Sequence, residues 1–488
     1  MYVHKNPTFG WGFRVRVTSD IKLAHSRKRV RLFSLPNTES FLEIHLTKDP
    51  PKAIIKATTY RRLFFMVYAN QFSGNNDSEI LNAAVLGRDS DGIVVITPRV
   101  SENESERNYW LLDSAILLPE NTTVILQNCK LKLSDSCRDN FFRTANCGLG
   151  IEDTEPISNI HIKGEGLCIL EGADHPRATG DGGKILHAPC PHYPEDICKI
   201  ADWIPEDHRQ NAKSITFDDV HDYSYGTDAG KEGESQYGDW RGIGILFANA
   251  DNFSISGLKI VESHGWGISL EACSNGLIEQ IEFDARMHKN IDGMEMNMEN
   301  QDGIDLRNGC HHITISDITG CTGDDVIALT AIAANPIYRP GGSLRSTHVM
   351  HNDWSRREKD IHDVTIRNVT AHSYLCWVIR LLPAMTRIYN VTIDSVTDNA
   401  TDCNAASGTL LLGDGGNYGE NQPDSMQNIS ISNVICNSRI GITVAGFLTD
   451  SVIENVRSLN PSSPAIVVRR ENGMKNVNTY NISSASDS

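Results

Sequence analysis

Apolar positions along most of this chain come in short runs separated by Asn, Asp or Gly turns. The clearest runs are Ile157–Ile162, Ile243–Phe247, Phe253–Ile260, Trp266–Leu270, Gly276–Phe283, His312–Ile318, Val326–Leu329, Ile361–Val369, Trp377–Leu381 and Tyr389–Val396. The series continues through Gly408–Leu412, Gln427–Val434, Ile440–Val444 and Ser451–Val456 to Ala465–Val468. Each run predicts a β-strand. Several share one internal spelling: SNGLIEQIEF, CHHITISDIT, IHDVTIRNVT, IYNVTIDSVT, MQNISISNVI and LTDSVIENVR. No helical period intervenes, which excludes a βαβ fold. The recurrence is that of a solenoid, and specifically of a parallel β-helix.

Residues 71–488 are assigned to this β-helix. Residues 1–70 read differently, as five short strands (Phe13–Val17, Arg29–Phe33, Phe41–Leu46, Ala53–Ala57, Leu63–Val67) forming a small all-β N-terminal domain. Asn75-Asn76-Asp77-Ser78 supplies an N-cap signal for a helix over Glu79–Leu86. An insertion at 173–240 carries Trp203, Tyr223, Tyr225, Tyr237 and Trp240, and its aromatic content favours an ordered lid that stacks on sugar faces. A second insertion, Ala331–Lys359, carries Arg339, Arg345, Arg356 and Arg357.

Charge and composition narrow the partners. A net charge of −17 argues against nucleic acid and anionic membranes. No run is long and apolar enough for a membrane helix, and the opening MYVHKNPTFGWG lacks a signal-peptide pattern. The twelve cysteines are scattered, mostly inside apolar strands (Cys129, Cys168, Cys273, Cys310, Cys376, Cys436), as reduced buried thiols of a cytoplasmic protein would be. Asn121, Asn368, Asn390 and Asn428 stand in glycosylation sequons, but each sits where a repeat needs a turn Asn before β-branched residues. Self-association as a homo-oligomer is left open.

Candidate chemistry concentrates in NQDGIDLRNGCHHITISDITGCTGDDVIALT, residues 300–330. Twenty-two residues separate Asp302 from Asp324, about one coil, so Asp302, Asp324 and Asp325 could meet on one face. Any one of them alone reads as a turn acid; three at a one-coil spacing read as the proton donor and acceptor of glycosidic hydrolysis. Asp305 and Asp317 read as turn or surface acids. Trp266 and His264, in His-Gly-Trp-Gly, lie one or two coils before the acids, where a sugar could stack. His187, Cys190, His192 and Cys198 match no common zinc spacing, and Gly413–Gly419 reads as a plain loop. No metal or other cofactor is expected.

Asn300-Gln301-Asp302-Gly303-Ile304-Asp305 followed by Gly323-Asp324-Asp325 resembles the two signature segments of glycoside hydrolase family 28, the polygalacturonase-like enzymes. The run AILLPENTTVILQN resembles the opening of pectin-degrading β-helix proteins. The resemblance implies an all-β, right-handed parallel β-helix and an inverting, metal-independent hydrolase acting on a carbohydrate. It also implies that Asp324 is the general acid, and that Asp302 and Asp325 position and deprotonate water. Inversion implies carboxyl groups roughly 6.5–9.5 Å apart.

Two departures stand out. The family's Gly-His-Gly is absent, which leaves His348, then His351, as substrate-binding candidates. Its Arg-Ile-Lys lines up with Arg380-Leu381-Leu382: the substrate-binding arginine is kept and the lysine is lost. The expected substrate is therefore an oligosaccharide or polysaccharide that need not be a uronide, with exo action suggested by the 173–240 insertion. A β-helix lyase or epimerase and a non-catalytic carbohydrate-binding solenoid are the alternatives.

Overall fold

Buried aliphatic residues recur along each repeat in steps of two and three. In the strand Ile361–Ser373 they are Ile361, Val364, Ile366, Val369 and Ala371. A flat strand would alternate strictly, so each three-residue step contains one extra residue and a bend. The extra residues are Asp363 (φ +53°) and Asn368 (φ +54°). Both adopt the left-handed backbone that Asn and Asp enter more readily than other side chains. Ile388–Asp398 and Met426–Cys436 keep the same rhythm, with Asn390 and Ser395, and Asn428 and Asn433, at the bends.

In the computed structural model these bent strands stack in parallel, coil upon coil. It describes residues 66–100, 107–135, 137, 139–148, 151, 153–174, 239–286, 288–291, 294–297, 301–331, 348–350, 359–384, 386–401, 408–413 and 421–485, together with five strands before residue 66. A ten-stranded sheet runs in sequence order from Ile116–Leu118 to Ile466–Val468 and carries the acidic segment. A fifteen-stranded sheet carries the long bent strands. All pairings within these two sheets are parallel, which is the right geometry for a β-helix. Between them, Ile268, Ile304, Ile327 and Ile379 from one sheet meet Ile278, Ile315, Ile366 and Ile393 from the other in a continuous core.

The chain divides into two compact units, Met1–Phe65 and Met66–Ser488. The first has an antiparallel pair, Tyr2–Lys5 with Trp11–Arg14, and a three-stranded antiparallel sheet of Arg29–Leu35, Thr38–His45 and Lys56–Leu63. In the second unit the helix spans Asp77–Leu86, and the Asn76 side chain accepts the Glu79 N–H at 2.9 Å. Among the described residues no helix is long and apolar enough to cross a membrane.

The bends line up into two columns of left-handed residues. The first runs Asn121, Asn159, Asn252, Asn275, His312, Asp363, Asn390, Asn428, Asp450 and Asn476. The second includes Asp317, Asn368, Ser395, Asn433, Asn455 and Asn481. Amides pass hydrogen bonds up each column: Asn428 to Asn390 (2.8 Å), Asn390 to Asp363 (3.0 Å), Asn368 to Asp317 (3.2 Å) and Asn481 to Asn455 (2.9 Å). The sequon residues Asn368, Asn390 and Asn428 thus spend their amide nitrogens on neighbouring coils, in keeping with the turn reading. Asp317, read as a turn acid, is such a rung.

Replacing Asn455 by Ala should therefore lose two amide bonds and strain the backbone (φ +54°). The expected loss is about 1–3 kcal/mol in denaturant unfolding, with Asn455→Gly less costly because glycine accepts that φ.

Candidate active site

Register in the ten-stranded sheet brings the candidate acids together. Ile268 pairs with Ile304, Ile304 with Ile327, and Ile327 with Ile379. Backbone bonds extend this alignment toward the strand starts: Gly267 N–H to Asp302 O, Gly303 N–H to Asp325 O, and Val326 N–H to Trp377 O, at 2.8–2.9 Å. Trp266, Asp302, Asp325 and Trp377 therefore occupy one level on four successive strands, each roughly 4.8 Å from the next. Asp324 sits one residue before Asp325, with its N–H on Gln301 O at 3.3 Å.

The glycines around the acids are dictated by crowding. A Cβ on Gly303 would lie 2.4 Å from Val326 O and 2.9 Å from the Phe283 ring. At Gly323 it would press on the Gln301 side chain at 3.1 Å. Gln301 is fully buried, and its amide donates to Ser263 O at 2.8 Å. The Gln-Asp-Gly and Gly-Asp-Asp spellings are thus packing requirements that hold the acids in place.

Asp325 is buried, and both its oxygens accept hydrogen bonds. Trp377 N–H donates to Oδ1 at 2.9 Å and the Arg380 guanidinium to Oδ2 at 3.1 Å. Burial and the neighbouring Asp324 charge push its carboxyl up to about 7, against the pull of Arg380. Asp324 is half-buried, and its Oδ1 accepts the Asp325 N–H at 3.0 Å. Asp302 is 6% exposed.

Cys376 also belongs to this group. Its Sγ and carboxylate oxygens of Asp324 and Asp325 all lie within 4.8 Å of one another. Its thiol donates to Asp324, and burial together with the charges of Asp324, Asp325 and Asp302 raises its pKa far above the ordinary thiol value. At least one oxygen of Asp324 therefore lies within 4.8 Å of one of Asp325.

The sequence marks Trp377 only as a strand residue and Cys376 only as a buried thiol. Trp377 is half-buried, and its ring lies over the next coil, where any Cβ on Gly408 would come within 2.1 Å of it. An aromatic beginning a strand one coil after an acid pair was the available signal. Asp305, read as a turn or surface acid, is fully buried instead: it points outward on its strand, but that face of the sheet is covered.

The other sequence candidates are buried to a degree similar to that of Asp302 and Asp325. His348 is buried. Its Nδ1 faces Glu271 Oε1 at 3.2 Å, and its Nε2 accepts from Arg307 at 2.6 Å. Burial and the Arg307 charge lower its pKa, so the ring is neutral. Arg307 in turn stacks on Trp266 at 4.7 Å. Trp266 packs with Trp240, Leu246, Val349 and Met350 in an apolar cluster on the outer face of the sheet. His264 is buried as well, accepting the Ala173 N–H on Nε2 at 2.9 Å. Burial and the Lys289 charge push it down to about 3. His264 and His348 are thus engaged by hydrogen bonds, and Trp266 by packing, in the wall beside the acids. Arg380, expected on substrate, holds Asp325.

Most of the 173–240 insertion, His351, the four arginines of the second insertion, the cluster of His187, Cys190, His192 and Cys198, and all but Gly413 of the Gly413–Gly419 loop lie outside the described residues. Among the cysteines that are described, all are free thiols.

Comparison with known proteins bears on the same segment. The profile of glycosyl hydrolases family 28 matches residues 230–348. No curated protein sequence matches the chain. Among solved structures, it is similar to a polygalacturonase from Erwinia carotovora ssp. carotovora, at 14% identity and a TM-score of 0.45, over 84% of this chain and 94% of that one. It is also similar to a family 28 exopolygalacturonase from Yersinia enterocolitica (12% identity, TM-score 0.40, 91% and 83% covered). A third is an endo-xylogalacturonan hydrolase from Aspergillus tubingensis (13% identity, TM-score 0.35, 86% and 94% covered). The stretch that carries Asp302, Asp324 and Asp325 is similar in sequence to glycosyl hydrolases family 28.

Proposed function

We propose that this chain is a glycoside hydrolase whose reacting groups are Asp302, Asp324 and Asp325. The observation that carries the reading is the level placement of Asp302 and Asp325 on paired strands, with Asp324 beside them. Two further supports are the family 28 match over this segment and the grip of Arg380 on Asp325. In this reading the half-buried Asp324 protonates the leaving glycosidic oxygen. Asp325, assisted by Asp302, takes a proton from the attacking water. Trp377 gives the adjacent sugar a flat apolar face.

The substrate we propose is a neutral or singly charged sugar. Where the family carries a second cation, this chain has Leu382, which is 3% exposed, and Arg380 is already engaged by Asp325. Exo action is part of the proposal, and release of single terminal units rather than random internal fragments is the product pattern that supports it.

The primary test is a panel of oligosaccharides assayed by reducing-end release. Asp324→Asn should lower kcat at least about 100-fold with unchanged folding; wild-type turnover in this variant would remove the acid assignment. The anomer formed first, followed by proton NMR, should be inverted. Retention would make Asp325 or Asp302 a nucleophile.

A base whose carboxyl is pushed up to about 7 is ionised only above that pH. The acidic limb of kcat/KM should therefore lie near pH 7. Arg380→Gln removes the cation that favours the ionised form, so it should move that limb to higher pH and cost more activity at pH 6 than at pH 8. An alkaline limb near 7 would instead make Asp325 the acid.

Trp377→Ala should raise KM several-fold with a smaller change in kcat. Equal KM values in the two proteins would dismiss the stacking role.

A further inference from the structure

On the other sheet, the first column of left-handed residues carries an imidazole rung beside a carboxylate rung. Asn275 precedes and Asn390 follows, but the two rungs between them are His312 and Asp363. Beside them, His311 and His362 pair in register and stack at 4.9 Å with an interplanar angle of 2°. His362 stacks in turn on Tyr389 at 4.9 Å. Imidazoles and a carboxylate thus stand together in a column whose rungs are mostly amides.

The donor atoms converge. His362 Nδ1 is 2.7 Å from Asp363 Oδ2, and His312 Nε2 is 3.7 Å from the same oxygen. One ligand atom from each of the three residues lies within 4.8 Å of the others. Two of the other polar atoms are engaged elsewhere. Asp363 Oδ1 accepts from Asn390 at 3.0 Å, and His312 Nδ1 bonds His311 Nδ1 at 2.8 Å. With the proton on His312 Nδ1, the lone pair is on Nε2, 3.7 Å from Asp363 Oδ2. Fixing the ring through its second nitrogen is how ligating histidines are commonly oriented.

We propose that His312, His362 and Asp363 form a binding site for a borderline divalent transition ion such as Zn2+, separate from the aspartate group on the ten-stranded sheet. Two imidazoles and one carboxylate suit that class of ion. Bonds of about 2.0–2.2 Å to a tetrahedral centre need donors roughly 3.3 Å apart. The 2.7 Å contact must open and the 3.7 Å one close, both within reach of side-chain rotation: the His312 side chain is 55% exposed and that of Asp363 37%. The ion would clamp the strand His311–Thr322 to Ile361–Ser373, the two coils that flank residues 332–358.

The test is calorimetric titration of ZnCl2 into the full chain after chelator treatment, comparing wild type with His312→Asn/Asp363→Asn. That double variant restores the amide ladder and should keep the fold, checked by circular dichroism. The wild type should bind one more Zn2+ equivalent, at micromolar Kd, than the variant. It should also gain a few degrees in Tm with zinc that the variant lacks. Zinc held elsewhere on the chain would appear equally in both proteins. Should the double variant misfold, His362→Gln gives the same comparison. As a second readout, the EPR spectrum of the Cu2+-loaded wild type should show two coordinated nitrogens, and that of His362→Gln one. Equal zinc stoichiometry and affinity in wild type and variant, or a copper signal insensitive to His362, overturns the site.

Discussion

The constraint on which everything else depends is parallel pairing of each coil with the one before it. Inward isoleucines and valines set the register, since a slip by one residue would turn the core face outward. Left-handed bends such as Asp363 and Asn368 set the corners. With both fixed, residues far apart in sequence become neighbours one strand spacing apart. Asp302 and Asp325 meet for that reason and no other. The same rule gathers His312, His362 and Asp363 on the opposite sheet, so the backbone repeat generates both polar groups.

The two groups differ in their surroundings. Asp325 is enclosed, and burial raises its carboxyl while Arg380 and the Trp377 N–H restrain the rise. Cys376 stays a thiol because burial disfavours its anion and the three acids beside it would repel a further negative charge. Outside this centre, Glu271, His348, Arg307 and Trp266 form a buried chain of contacts that steadies the wall below Asp302. The histidine–aspartate group, by contrast, lies at an exposed corner where water screens its charges.

Much of this was legible in the sequence because a solenoid repeats its signals. The six related decapeptides carry the inward Ile and Val positions, and the turn Asn and Asp carry the corners. The acids were legible because they sit at a one-coil spacing next to glycines. What escaped depended on side-chain direction in three dimensions. Asp305 alternates outward as a surface residue would, yet a covered face buries it. His264 and Trp266 stand near the acids in sequence but turn into packing and backbone hydrogen bonds. Cys376 and Trp377 come close to the acids only across an insertion whose length hides the register of Asp325 with Trp377. The stacking of His311, His362 and Tyr389 needs the coil-to-coil alignment before it can be seen.

The level placement of Asp302 and Asp325 has a further consequence for how such a protein can diverge. Their spacing is a property of the hydrogen-bonded sheet, so extra residues between coils leave it unchanged. The segments between Phe283 and Asp302, and between Ala331 and Ile361, can lengthen, shorten or change composition without moving the acids. New walls, and with them new sugars, can be built around an unaltered pair of carboxylates.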